Sequence, residues 1–575
     1  MFGGVPTKSG AVGTIPRMKH TSWFSLPLLA VASCALAAPP LPTGGSLQPS
    51  AASEAAASTV PPLDIQPIKP LAIAPDADAD RLKIVVKSLD IAGAQVFSAA
   101  ELTGVSGFSP GRAYTLTQVR SMAARIERYY HGHGYPVAQA YLPAQDINDG
   151  AITITVAEGH YGQVLLRNQS HVSVGVLSAV LQDIKTGDLV AAEALESRLL
   201  LLSDLPGVQI KSALVPGATF GSSDLMVEVA PGRRVVGSID ADNAGNYYTG
   251  ALRVGATVFL NEPTGEGDVA SLRLLTSGGG LNYLRAAYQL QVGQARVGAA
   301  FSNLEYALGQ EFESLLANGT ARSMGFFGSY PLLRSRQQNL TLGASYESKR
   351  YEDRLDSVGS ITEKAARVLT ASLTGDRRDN LGAGGVSSVA LTLTSGTLSI
   401  QTAAARAFDA TTAQTNGHFN KLGFSISRLQ NLSPTLALYA GINGQLASKN
   451  LDASEKMALG GMFAVRAYPE GEGYGDQGYV LNLEARWLLP QRWQRAIGQV
   501  QLVGFMDTGS VTLNKRPWST EANQRSLSGI GIGLNWFAAD KFQLRLAFAH
   551  KLGNEAARSA PDANDRLWLQ AIKYF

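Results

Sequence analysis

The chain has 575 residues, with 49 Lys and Arg against 46 Asp and Glu, a formal net charge of +3. That surplus is too small to argue for a nucleic-acid partner, and the length leaves room for several domains. Beyond the N-terminus no segment approaches the ~20 apolar residues of a spanning helix, so any membrane crossing is made by strands.

The N-terminus carries Lys8, Arg17 and Lys19, then an apolar run from Trp23 to Ala38 with Ala35-Leu36-Ala37 as a small-residue cleavage site. This reads as a secretory signal peptide over 1–37, too short to span. Met18 is an alternative start. A rival reading takes Val31-Ala32-Ser33-Cys34 as a lipoprotein-type site with Cys34 acylated. Cys34 is the only cysteine, so cleavage after Ala37 leaves a mature chain without thiol or disulfide chemistry. Residues 38–82 are rich in Ala, Pro and Ser and cannot bury a core, which makes them a tail or linker. Within them Ala51–Ala57 offers a short helix.

From Lys83 the pattern changes. Ile84, Val86 and Leu89 predict a strand. Ser98 caps a short helix with Glu101 in its first turn, and Leu116, Val119, Met122, Ala123, Ile126 and Tyr130 fall on one face of a second. Strands follow at 137–142 and 151–158, joined by the turn chemistry of Asn148-Asp149-Gly150. The same order repeats: strand 163–167, helices 171–181 and 191–202, strands 208–215 and 224–230. Two copies of about 75 residues, 83–159 and 160–232, form an internal repeat, each with a sheet edge open to a visiting strand. His131 and His133 close the second helix, and their spacing without a cysteine reads as a glycine-flanked turn rather than a metal site.

Residues 233–575 alternate with period two. Leu252, Val254, Ala256, Val258 and Leu260 alternate with Arg253, Gly255, Thr257 and Phe259. The pattern recurs at Leu284–Val292, Leu481–Trp487, Ile530–Trp536 and Phe542–Phe548. Such repetition with few helical stretches predicts an antiparallel barrel, apolar toward lipid and polar toward the lumen. An arginine on the lipid face costs roughly 2–4 kcal/mol at mid-bilayer, so Arg253, Arg285, Arg486 and Arg545 face inward. The length allows roughly 16 strands, ending in Lys573-Tyr574-Phe575. One stretch is too glycine-rich for a strand: Gly460 to Asp476, a long shaped loop with Arg466 in its middle.

Taken together, 83–575 resembles the TpsB transporters of two-partner secretion, the haemolysin secretion and activation proteins, in the superfamily that includes the outer-membrane assembly barrel. The repeats resemble two POTRA domains. Asp242-Asn243-Ala244-Gly245 resembles the family's opening hairpin, Asn261–Asp268 its first turn, and Ser329–Arg336 a mid-barrel strand and turn. More specific are Val465-Arg466-Ala467-Tyr468, similar to a Val-Arg-Gly-Tyr/Phe loop tip with Ala467 in the glycine position, and Phe505-Met506-Asp507-Thr508-Gly509, similar to a Phe-x-Asp-x-Gly strand motif. The resemblance implies an outer-membrane barrel with periplasmic POTRA domains. It also implies as client a large secreted TpsA-type protein with an N-terminal secretion domain, exported unfolded. In some relatives an N-terminal helix plugs the barrel.

The residues support a pairing. Phe505, Asp507 and Gly509 share one face, opposite Leu502, Gly504 and Met506, so Asp507 points into the lumen. A loop folded inside the barrel brings Arg466 to it as a charge-assisted pair, and in the family this loop is similarly held. The repeats then capture client by strand addition. There is no Gly-Lys-Ser/Thr phosphate cradle, no nucleophile elbow and no other catalytic constellation. The expectation is therefore no enzyme, no cofactor, no metal and no nucleotide. The rivals are an insertase for other barrels and a passive porin.

Overall fold

The computed structural model describes residues 41–48, 64–66, 83–147, 149–490 and 498–575. The expected signal peptide with its Cys34 alternative, the Ala51–Ala57 segment and Asn148 lie outside them.

After β1 (Asp64–Gln66), the first α+β unit comprises β2 (Lys83–Val86), β3 (Ser88–Ala92), α1 (Ala99–Ser106), β4 (Arg112–Thr115), α2 (Leu116–Gly132), β5 (Gln139–Tyr141) and β6 (Ala151–Ala157). The single opening strand expected from Ile84 to Leu89 is two strands in two sheets. The chain bends at Lys87, whose amide donates to Gly150 O at 2.7 Å. β2 then pairs antiparallel with β4, and β3 joins β6 in parallel. β4 has only four residues and carries no alternation long enough to read. α2 starts on a capping box, Thr115 with Gln118, which satisfies two otherwise orphaned amides. Its face of Val119, Met122, Ala123, Ile126 and Tyr130 is buried, and each large aliphatic chain so buried stabilises the unit by about 1.5–3 kcal/mol. The Tyr130 hydroxyl donates to Glu158, which also takes the amides of Gln95 and Val96.

The second unit repeats the plan with β7 (His160–Asn168), α3 (Val174–Leu181), α4 (Ala192–Ser203), β8 (Val208–Pro216) and β9 (Ser222–Pro231). Its sheet runs β1-β8-β9-β7. The β8 edge is not open: Asp64–Gln66, from the upstream tail, lies on it in parallel, Asp64 opposite Lys211 and Gln66 opposite Ala213.

Among the described residues sixteen strands close an antiparallel barrel. They are β10 (Val235–Asp242), β11 (Arg253–Asn261), β12 (Val269–Thr276), β13 (Leu281–Val292), β14 (Ala295–Ala307), β15 (Ala317–Arg334), β16 (Gln338–Leu355), β17 (Ser360–Asp379), β18 (Gly385–Ile400), β19 (Gly417–Asn431), β20 (Leu436–Ala447), β21 (Gln477–Leu488), β22 (Gln499–Thr512), β23 (Gln524–Ala538), β24 (Phe542–Lys551) and β25 (Asp565–Tyr574). A helix absent from the sequence reading, α5 (Ala403–Thr411), sits in the β18–β19 loop. Outward chains such as Val254, Leu483, Met506, Ile532 and Leu567 are exposed to the bilayer, as the period-two pattern requires. The inward face carries ion pairs, among them Arg253–Asp242 and Arg273–Asp240. β25 closes on β10 over a short register, Ser238–Tyr574 to Asp242–Gln570, whereas β16 pairs with β17 along all of its own length, Gln338–Arg377 to Leu355–Ser360.

The tail also meets the barrel. Residues 42–48 lie in the lumen near the end opposite the α+β units. There the Gly44 amide donates to Asp353 at 3.1 Å, Tyr474 donates to Ser46 O at 3.1 Å, and Leu47 is buried among Tyr248, Leu304 and Leu451.

Candidate functional site

The β20–β21 loop folds into the barrel, and its tip rests on the inner faces of β21 to β25. Register decides what it meets. β21 and β22 set Asn482 beside Asp507 and Glu484 beside Phe505, and β23 sets Gly529 beside Asp507 and Gly531 beside Phe505. Acids, amide and aromatic ring therefore share one patch of wall, next to two positions without side chains.

Arg466 fills that patch. Its Nε donates to Asp507 Oδ2 at 2.8 Å and its Nη2 to Oδ1 at 2.7 Å, a bidentate pair. Nη1 lies 2.9 Å from Glu484 Oε1. The guanidinium stacks 3.5 Å from the Phe505 ring centroid, inside cation–π range. The Asp507 side chain is fully buried and that of Arg466 is 12% exposed. Asp507 also takes the Arg466 amide and Asn482 Nδ2, while Asn482 donates to Ala464 O. From β25 the Trp568 indole donates to Arg466 O at 2.7 Å.

The neighbouring tip residues are held too. Val465, Ala467 and Tyr468 are fully buried. The Tyr468 hydroxyl donates to Glu555 O, and Lys551 Nζ lies 4.7 Å from its ring. A Cβ at Gly509 would come within 2.6 Å of Leu459, and one at Gly529 would overlap the Ala467 methyl. The bare wall is what admits the tip. All seven residues singled out from the sequence, Val465, Arg466, Ala467, Tyr468, Phe505, Asp507 and Gly509, thus meet in one site.

Three partners at the tip were missed, Glu484, Asn482 and Trp568, and with them a cluster of ion pairs at the loop stem. In that cluster Glu455 pairs with Lys349 at 3.0 Å and Lys421 at 2.8 Å, Asp452 with Lys364 at 2.9 Å, and Asp476 with Lys456 at 3.0 Å. Strand parity was a signal for Glu484 and Asn482. Nothing local marks lysines supplied by β16, β17 and β19. His131 and His133 each bond a main-chain carbonyl, of Ala138 and Tyr129, and the described residues hold no group of three metal-ligating side chains.

The family described as haemolysin secretion/activation protein ShlB/FhaC/HecB matches residues 221–536, and the ShlB-type POTRA domain matches 84–159. The chain belongs to the ShlB/FhaC/HecB family. It is 28% identical over 474 residues to the heme/hemopexin transporter protein HuxB of Haemophilus influenzae (strain 86-028NP), covering 81% of this chain and 82% of that one. It is 22% identical to the outer membrane transporter CdiB of Dickeya dadantii (strain 3937), covering 74% and 75%. In fold it is similar to the solved CdiB from Escherichia coli, with TM-score 0.67 and 19% identity over 88% of this chain and 94% of that one. The protein is accordingly an outer-membrane transporter of the two-partner secretion family. Its POTRA region lies in the periplasm, and the barrel end opposite the POTRA region faces the cell exterior.

Proposed function

We propose that this transporter captures one large secreted partner protein of the TpsA type in the periplasm and passes it unfolded through the barrel. The observation that carries the reading is the β8 edge of the second α+β unit. It already accepts a strand, Asp64–Gln66 of the chain's own tail. A client segment adding to that edge gains main-chain hydrogen bonds there and displaces the tail strand in doing so. The tail's upstream part, 42–48, lies in the lumen with the folded-in loop. Engagement of client at β8 and clearance of the channel are thereby linked through one segment of chain. Arg466 and Asp507 hold the loop in its inward position, and Phe505, Gly509, Val465, Ala467 and Tyr468 shape the seat. Net movement comes from folding or binding of the client outside.

The test compares culture medium and outer-membrane protein profile with and without this protein. Loss of one large protein from the medium, with the membrane profile intact, is the expected result. Loss of many barrels from the membrane assigns an insertase instead, and no change in either refutes dedicated export.

A further inference from the structure

Two sequence motifs are not absorbed by the loop site: the Asn261–Asp268 turn and the Arg334–Arg336 stretch. In the fold both face the second POTRA domain. Arg334 grips Asp204, at the C-terminus of α4, in a bidentate pair of 2.7 and 2.8 Å, while Arg296 Nη2 donates to Asp204 O at 2.5 Å. The Arg336 amide donates to Glu196 at 2.9 Å. On the other side the β11–β12 turn packs on the start of α3, where the Ser173 amide donates to Gly265 O at 2.7 Å. Gly267 lies close to Val176 and Leu205, and Gly207 approaches Glu262.

Glu262 is anomalous within this seat. Its φ is +53°, a left-handed conformation uncommon for a residue with a side chain. It is 4% exposed, and neither carboxyl oxygen has a hydrogen-bond partner at good geometry; the Gly267 and Asp268 amides point toward it and offset its burial only in part. A buried carboxylate so weakly satisfied is expensive, and such a group takes up a proton at higher pH than a free one. Its neighbour Asp268 is fully buried but satisfied, by Thr264, by the Gly265 and Glu266 amides and by the Tyr288 hydroxyl at 2.7 Å. Burial alone would raise the Asp268 carboxyl; the hydrogen bonds from Tyr288 and Thr264 outweigh that and hold it below its ordinary range. Asp268 therefore stays charged and repels charge on Glu262.

We propose that the Glu262 turn is a protonation-sensitive seat that docks the second POTRA domain on the barrel rim and loosens as Glu262 ionises. The groups facing Glu262 are the Asp268 and Glu266 carboxylates and the Gly267 and Asp268 amides from its own turn, Tyr288 of β13 through Asp268, and the Gly207 main chain of the POTRA domain; the two amides favour the charged form, the acids and burial oppose it. Arg233 and Arg234 hold Asn261 through their carbonyls. The acids that act on Glu262 are thus negative, and burial first, then Asp268, push its carboxyl from 4.5 up to about 7. The sign follows. Docking binds a proton, so it is strongest below the ordinary carboxyl range, weakens as pH rises toward 7, and is flat above. The seat stands apart from the Arg466 site and holds whether or not that loop is a lock.

Hydrogen exchange of the full-length protein in detergent micelles tests this, read on peptides covering 170–176 and 262–268 and corrected for intrinsic rates. Between pH 5 and pH 8 their protection falls on the order of a hundredfold, and Glu262→Gln abolishes that dependence while keeping high protection at pH 8. Asp204→Asn lowers protection by a similar factor at every pH. Protection in the unmodified protein that does not change with pH, or the same fall in Glu262→Gln, overturns the proposal.

Discussion

Replacing Arg466 by Ala tests the loop site most directly. The substitution deletes both side-chain bonds to Asp507, the 2.9 Å pair with Glu484 and the stack on Phe505. It keeps the Arg466 amide bond to Asp507 and the Trp568 bond to the carbonyl, which are main-chain contacts. The two acids fare differently. Glu484 retains Arg486, with both Nε and Nη2 at 2.7 Å. Asp507, fully buried, keeps only Asn482 and an amide. Stranding one partner of a buried pair costs about 3–5 kcal/mol, so the inward loop loses roughly a hundredfold to a few thousandfold in its ratio to the released form. The same logic fixes the sign of a double substitution. Asp507→Asn neutralises the stranded charge, so R466A/D507N holds the loop better than R466A alone, although D507N by itself is harmful. Hydrogen exchange over the loop, 459–476, reads the equilibrium, and secretion of the client reads its consequence. Unchanged protection in R466A, or a D507N effect that simply adds to that of R466A, refutes the lock.

Three further substitutions probe the surroundings. Gly529→Ala places a methyl against that of Ala467 and dislodges the tip, while G529A/A467G restores exchange protection of the loop; a double variant as damaged as the single one removes the steric account. Trp568→Phe loses the indole bond to Arg466 O at a cost of about 1 kcal/mol, seen as a fivefold or so rise in loop exchange, and no rise shows that the bond does not hold the tip. Successive amides of a strand point to opposite sides, so proline at both Asp64 and Ile65 removes whichever of the two faces β8 and weakens the pairing, since proline cannot donate. On the proposed capture reading the freed edge binds the N-terminal secretion domain of a TpsA-type partner more tightly in pull-down or calorimetry; unchanged binding places capture elsewhere.

The barrel was legible because lipid and lumen impose opposite chemistry on alternate residues, so Val254, Leu483 and Ile532 announce their face one by one. The loop was legible because its glycines interrupt that alternation around a single arginine. Parity turned Asp507 inward with Phe505 and Gly509, and the resemblance of the Val465–Tyr468 and Phe505–Gly509 motifs to the family's implied that Arg466 meets it there. Parity says which way a side chain points but not who stands beside it. The short β4, the bend at Lys87 and the occupied β8 edge escaped for the same reason: each is settled by a partner distant in sequence.

Closure of the barrel converts parity into position, and the missed residues are those that closure supplies. Glu484 reaches Arg466 because β21 registers against β22; Lys349, Lys364 and Lys421 reach the loop stem because β16, β17 and β19 curve round to it. Trp568 is the most telling. It stands on β25, the strand whose pairing with β10 is short, and it holds the loop tip by the carbonyl of the residue that pairs with Asp507. The tip is therefore fastened to β22 on one side and to the closing strand on the other. A loop held in this way braces the wall beside its shortest seam. If the proposed lock holds, releasing Arg466 removes a tie from β25 as it frees the loop, and the expected outcome is that a variant that frees the tip also raises amide exchange along Ser238–Asp242 and Gln570–Tyr574; exchange there that stays unchanged while the loop is freed refutes the brace.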